Sequence, residues 1–310
     1  MMIRYERPVS HAARLSLRLA QLAAVLFLMS LAAHRFGPLA TPHFVALALL
    51  SGLLSLVAVV LAMAGLVSLW RVAAVGGLAS MGAIVFAAIP LGAIGLALSL
   101  YFTQPALHDV TTDTLDPPAF IVAPQADQLW LSRPQSVSPL DREAQIAAYP
   151  ALTGRRYDGA LDRVLEGVKT VATAEGLTLT ADRGLEALEP DTPPLSDDDS
   201  AADPAKNPAD AVPDDIPVPI ARPEPAAPID LAAAALAGRP GDILLQGTWK
   251  TPIAGFRFDV AIRLREEAET TFVDLRIQSR YGSHDLGLGA DYADRFLRAL
   301  DAELLGIAGS

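Results

Sequence analysis

Three long apolar runs fill the first hundred residues, and beyond them the pattern shifts to short alternations and proline-rich stretches. The runs cover about residues 15–36, 44–69 and 72–102. A hydrocarbon core of about 30 Å needs roughly 20 apolar residues in a helix, so each run predicts a membrane span. The second contains no ionisable group from Phe44 to Leu69, and it and the third are too long and uniform for buried helices of a soluble domain. The first follows basic residues as a cleaved signal segment would, but another apolar run comes at once, so it reads as a retained helix. Pro90 in the third run is compatible with a kinked span, because neighbouring helices can satisfy the freed carbonyl. Small residues such as Gly52, Gly65, Gly82, Gly92 and Gly95 suit close helix packing.

From residue 103 to 157 repeated prolines predict extended, loop-like chain. A helix is expected from near Asp158, with Leu161, Val164, Leu165, Val168 and Val171 forming one apolar stripe and Gly176 ending it. Between Pro190 and Pro240 lie 12 of the 24 prolines and −7 of the net charge, too polar a stretch to order itself, so a disordered acidic insertion is expected there. Residues 243–250 predict a strand. In the next run Phe256, Phe258, Val260, Ile262 and Leu264 alternate with polar or small residues, and Val273, Leu275, Ile277 and Ser279 do the same after a short polar turn. The two runs make an antiparallel hairpin. Pairing Leu264 with Val273 sets Arg263 opposite Asp274, Asp259 opposite Gln278 and Arg257 opposite Arg280. A last helix carries Tyr292, Phe296, Leu297, Leu300 and Leu304 on one face. The fold class is α+β: a three-helix transmembrane bundle over residues 1–102, then a soluble domain over 103–310 in which two helices cover an antiparallel sheet.

Charge divides along the same line. Mean hydropathy is +0.34 and 52% of residues are hydrophobic, yet the net charge is −11, because the acids follow the apolar third. Such a balance argues against nucleic acid as a partner. No cysteine is present, which removes thiolate chemistry and cysteine-based metal sites. Arg4, Arg7, Arg14 and Arg18 precede or open the first span, whereas no Lys or Arg follows the third until Arg133. Positive charge stays on the cytoplasmic side, so the N-terminus is expected in the cytoplasm and the C-terminal domain across the membrane.

Polar chemistry in the domain concentrates in Arg257, Asp259, Arg276, Arg280, His284 and Asp285. These six are the candidate ligand-binding residues. On one reading they take an anionic group, with Arg276 and Arg280 as a charged fork and His284 as a proton donor. On the other, Arg and Asp form cross-strand pairs on a solvated sheet face, while Asp285 caps a turn. No nucleophile elbow, phosphate loop or zinc-protease helix motif occurs, and five scattered histidines make no metal site. No cofactor and no metal are expected.

Three segments resemble the bacterial family called domain of unknown function 1499. One is His108-Asp109-Val110-Thr111-Thr112-Asp113 with Pro117-Pro118-Ala119-Phe120; another is Phe256 to Leu264, similar to F-x-D-D-V-x-[IV]-R. The third, Val273-Asp274-Leu275-Arg276 through Ser279-Arg280-Tyr281-Gly282-Ser283-His284-Asp285-Leu286-Gly287, is similar to V-D-[VI]-R-S-x-S-R-x-G-x-S-D-L-G. Phe258 stands where the first of the paired Asp is common, His284 where a Ser is, and Gly289 where an Asn is frequent, so a role needing paired carboxylates is not expected here. The resemblance implies a domain hung on a membrane anchor in the envelope, with no activity assigned to it. Taken with the charge asymmetry about the spans, the expected location is the bacterial inner membrane, with the N-terminus cytoplasmic and the C-terminal domain periplasmic. The expected partners are the lipid bilayer and another envelope protein or a lipid. The leading expectation is a non-enzymatic envelope interaction protein; a binder of a lipid or small anionic ligand is the alternative, and a hydrolase a more distant one.

Overall fold

The computed structural model describes residues 10–72, 74–124, 128–185 and 241–306. The expected acidic insertion at 190–240 lies outside the described residues. The first helices are α1 (His11–Phe36), α2 (Thr41–Val72) and α3 (Gly77–Thr103). All three are long and apolar enough to cross a membrane. The third begins at Gly77 and not Val72, because α2 continues to Val72 and the chain reverses through Gly76, whose φ of 156° suits a residue without a side chain. Pro90 lies inside α3 without ending it. Ala20, Ala58, Ala62, Ala83 and Ala87 form the seam of the bundle. Gly65 sits against Ala13 and Ser80, where a β-carbon would collide, whereas Gly92 and Gly95 face open space.

The segment expected as loop from 103 to 157 holds three more elements: β1 (Asp109–Thr111), α4 (Pro139–Ala148) and β2 (Arg155–Asp158). α4 starts with a capping box, in which the Ser138 side chain accepts from Asp141 N and Asp141 returns the bond to Ser138 N. Asp158 does not cap the next helix. It ends β2, which pairs with the start of β6, and α5 begins at Leu161 after a turn through Gly159. The remaining elements are α5 (Leu161–Ala174), β3 (Thr178–Arg183), β4 (Ile243–Lys250), β5 (Arg257–Glu267), β6 (Thr270–Ser279) and α6 (Leu288–Leu304).

The sheet runs β1-β6-β5-β4-β3, with β2 also on β6, and its pairings are antiparallel. The β5–β6 register is the one the alternation demands: Leu264 opposite Val273, Arg263 opposite Asp274 and Asp259 opposite Gln278. Val260, Ile262, Leu264, Leu275 and Ile277 turn to one face and pack under α5 and α6, where Phe296, Leu297 and Leu300 are fully buried. Trp249 stacks on Tyr292 with centroids 4.2 Å apart. Leu304 closes on Gly167, so α5 and α6 meet where α5 has no side chain.

The opposite, charged face is not solvated as one reading of the sequence expected. Residues 112–124 and 128–138 and α4 roof it, and Asp109, Asp259, Arg263 and Asp274 are buried. Each buried carboxylate on this face is paired with a guanidinium: Asp274 takes Arg263 at 2.7 Å, Asp109 takes Arg276 at 2.9 Å and Arg142 at 2.8 Å, and Asp259 takes Arg280. Arg263 also reaches Asp113 and Asp116, both at 3.0 Å, and so ties the roof to the sheet. Breaking a buried pair from one side leaves a bare charge in a poor solvent, at a cost of about 3–5 kcal/mol. Arg263→Ala is therefore expected to destabilise the domain by about that much, read by denaturant unfolding followed through the buried Trp249. A loss under about 1 kcal/mol would show that water reaches Asp274.

Candidate functional site

The β4–β5 turn carries the domain onto the bundle. His34, near the end of α1, offers Nδ1 at 2.6 Å to the carbonyl of Ala254, and because a carbonyl only accepts, Nδ1 carries the proton. Its Nε2 lies 3.0 Å from the Thr41 hydroxyl at the start of α2, which donates to it. The ring stacks on Phe44 at 4.6 Å and meets Phe256 at 5.7 Å. Arg35 Nε donates to Pro252 O at 3.0 Å. Sequence reasoning passed over His34, because a single histidine at the end of an apolar run carries no spacing signal.

The second joint is the loop after β6. His284 stacks on Tyr101 of α3 at 4.7 Å. Leu286 N donates to its Nδ1 at 2.9 Å, so Nε2 holds the proton and donates to Tyr101 O at 3.1 Å. Below it, the Tyr149 hydroxyl donates to Gln104 Oε1 at 2.9 Å.

Between the joints lies a cavity of about 380 Å³. Its walls are Thr41 and Val45 of α2, Tyr101 of α3, Leu131 of the roof, Phe256 to Phe258 at the start of β5, and the loop from Ser279 to Leu286. The volume lies in the range of small-molecule sites, and the wall is mostly apolar with a few polar groups, as such sites are.

The six sequence-picked residues separate into two groups. Arg257, His284 and Asp285 line the cavity. Asp259, Arg276 and Arg280 lie under the roof and are committed to one another or to the fold: Arg280 grips Asp259 through Nε at 2.9 Å and also reaches Thr248, while Arg276 lies on Asp109 and over the Phe120 ring at 5.0 Å. Both guanidiniums of the expected fork are thus engaged. Arg257, by contrast, has no carboxylate at ion-pair distance among the described residues.

Ser279 faces the helix-covered side, as its register requires, and its Oγ donates to Tyr281 O at 3.4 Å. With both His284 nitrogens taken, no serine–histidine pair forms on this wall. His108 lies outside the cavity, buried, with Nε2 unpaired, and burial pushes its pKa below the ordinary value. Among the described residues, no three His, Asp or Glu converge where a cation could sit.

Asp285 starts α6. Its carboxylate accepts from Gly287 N at 2.8 Å and Gly289 N at 3.0 Å, and a β-carbon on Gly289 would strike Oδ2. Gly287 itself is left-handed, at φ 77°. The turn role weighed for Asp285 in the sequence is the one it fills. Burial pushes its pKa up to about 6, against the pull of the two backbone donors.

A family sequence model described as protein of unknown function (DUF1499) matches residues 109–300. The chain belongs to the DUF1499 family. The match begins at β1 and ends within α6, and so takes in the roof, the sheet and the loop that carries His284 and Asp285. No curated protein and no solved structure matches this DUF1499 chain significantly.

The raised pKa of Asp285 has a defined consequence for pH. An acid whose folded pKa lies above its unfolded value favours the fold when protonated. Its contribution is therefore full below the ordinary carboxylate range near 3.8 and is lost as pH rises through about 6. The difference in melting temperature between wild type and Asp285→Asn is therefore expected to shift against the wild type as pH rises from about 4 to about 6. Superposable wild-type and variant profiles would contradict the assignment.

Proposed function

We propose that this DUF1499 protein binds an anionic amphiphile, a phosphate-bearing lipid of the bilayer, in the cavity between its helical bundle and its sheet domain. The observation that carries this reading is Arg257: a half-buried arginine with no carboxylate partner among the described residues, on a mostly apolar cavity beside the ends of the apolar helices. A phosphate would receive the guanidinium fork, and the Ser283 hydroxyl lies on the same wall. Acyl chains would continue along Val45 of α2 and out among the exposed apolar side chains of α2 and α3. Arg276 and Arg280 support this reading by being paired, which leaves Arg257 as the cation available to a ligand.

Loss of one charge-assisted hydrogen bond costs about 1.5–3 kcal/mol, or roughly 10–100-fold in affinity. Protein purified in mild detergent is expected to retain an acidic phospholipid at a fixed molar ratio by extraction and mass spectrometry. Arg257→Ala should lose it, and Ser279→Leu, which fills the cavity floor, should do so with the charge intact. Lipid in bulk proportions in all three proteins would remove the site.

In this reading the N-terminus faces the cytoplasm and the domain stands on the periplasmic side of a bacterial inner membrane, which the excess of Arg before and within the start of α1 supports. The absence of cysteine gives a clean check. A single cysteine at Leu115, which is 96% exposed, should react with an impermeant maleimide in intact spheroplasts. Reaction only after lysis would place the domain in the cytoplasm.

A further inference from the structure

We infer that the rim of the domain beside the helix ends is itself a bilayer-binding surface, which seats Trp130 and Ile253 among the headgroups of an anionic leaflet. This inference stands independently of the single-lipid site. The rim is set by topology. α3 ends at Tyr101–Thr103, β4 turns into β5 between Lys250 and Arg257, β6 empties into the loop 279–288, and the turn 128–133 packs on that loop. His34 and Arg35 of α1 touch the β4–β5 turn, and Tyr101 of α3 touches the loop after β6. The rim therefore lies at the level where the apolar helices end.

Among the large apolar side chains exposed on it, Ile253 and Trp130 belong to the domain's two tight turns. Ile253 is 81% exposed at the tip of the β4–β5 turn, next to Pro252, the residue Arg35 holds. Trp130 is 56% exposed, and its turn is firmly fixed. Gln128 donates to Arg280 O at 3.3 Å and accepts from Arg133 N at 2.7 Å, Arg133 donates to Ser279 O at 2.8 Å, and Gly282 N donates to Leu131 O at 3.2 Å. A pinned turn that offers an indole outward needs a medium that is apolar on one side and wet on the other, and the bilayer interface supplies it.

Charge selects the kind of surface. In a chain of net charge −11, the segments 34–44, 101–107, 128–133, 250–257 and 279–288 hold a single acid, Asp285, and that one is buried. They also carry Arg35, Lys250 and Arg257. Exposed acids gather toward the other end of the strands, among them Asp116, Asp158, Glu266, Glu267 and Glu269, while Asp291 in the first turn of α6 is the exposed acid next to the rim. This polarity points the cationic end at anionic headgroups.

The native chain lacks cysteine, so each of Trp130→Cys, Ile253→Cys and Leu115→Cys gives one spin-label site on an exposed position of the full chain. The labelled proteins are reconstituted into phosphatidylglycerol/phosphatidylethanolamine vesicles and read by power saturation with oxygen and a nickel chelate. Labels at 130 and 253 are expected to be shielded from the chelate and open to oxygen at least several-fold relative to 115, with weaker shielding in phosphatidylcholine. Chelate access at 130 and 253 equal to that at 115 overturns the inference. So does dipolar broadening at 130 that disappears on dilution with unlabelled protein and takes the shielding with it, which would assign the rim to a second copy. Neither result depends on whether a lipid molecule occupies the cavity.

Discussion

The two hydrogen bonds of the His34 imidazole fix where the domain stands. One ring nitrogen must give its proton to a carbonyl of the β4–β5 turn while the other receives the hydroxyl of Thr41, and the ring faces are held by Phe44 and Phe256. An imidazole meets all these demands only in one tautomer and one orientation. The turn is therefore held against the α1–α2 corner, and the His284–Tyr101 stack sets the other side. The cavity is the space these two joints leave open, and its shape follows from them.

The same economy governs the charged face of the sheet. Three arginines and three aspartates, on neighbouring strands or directly after β6, project into a space roofed by residues 112–124 and 128–138, and unpaired charges there would carry a desolvation penalty of several kcal/mol each. Pairing Arg263 with Asp274, Arg276 with Asp109 and Arg280 with Asp259 offsets that penalty and positions the roof. The pairing also takes these groups out of ligand chemistry. Arg257 is one residue beyond the last β5–β6 pair, Phe258 with Ser279, and it lines the cavity outside this network.

Sequence pattern carried the parts of this structure whose signal is local and periodic. The apolar helices follow from runs longer than any soluble helix would bury, and the β5–β6 register follows from alternation, down to Arg263 opposite Asp274. The parts it missed depend on distant partners. β2 is mostly polar, with Tyr157 its one buried side chain, and exists because Arg155–Asp158 completes the edge of β6. The roof is low in helix and strand propensity and is held by side chains far along the chain, such as Gln246 bonding both backbone groups of Val122. The candidate residues were legible as a cluster, but not as two sets, one lining the cavity and one paired under the roof. Alternation says which face a strand residue takes and nothing about what covers that face. His34 had no pattern to betray it, since its partners are 7 and 220 residues away.

A charged end, an apolar wall and an opening beside helix ends make one demand on any occupant: it must be anionic at one end and apolar at the other. Native mass spectrometry of the full-length chain released from micelles tests this most directly. The account predicts a population carrying one extra mass of an acidic phospholipid, stable after the micelle is stripped and present at unit stoichiometry. Only the bare polypeptide mass, under conditions that keep the chain folded, would contradict it.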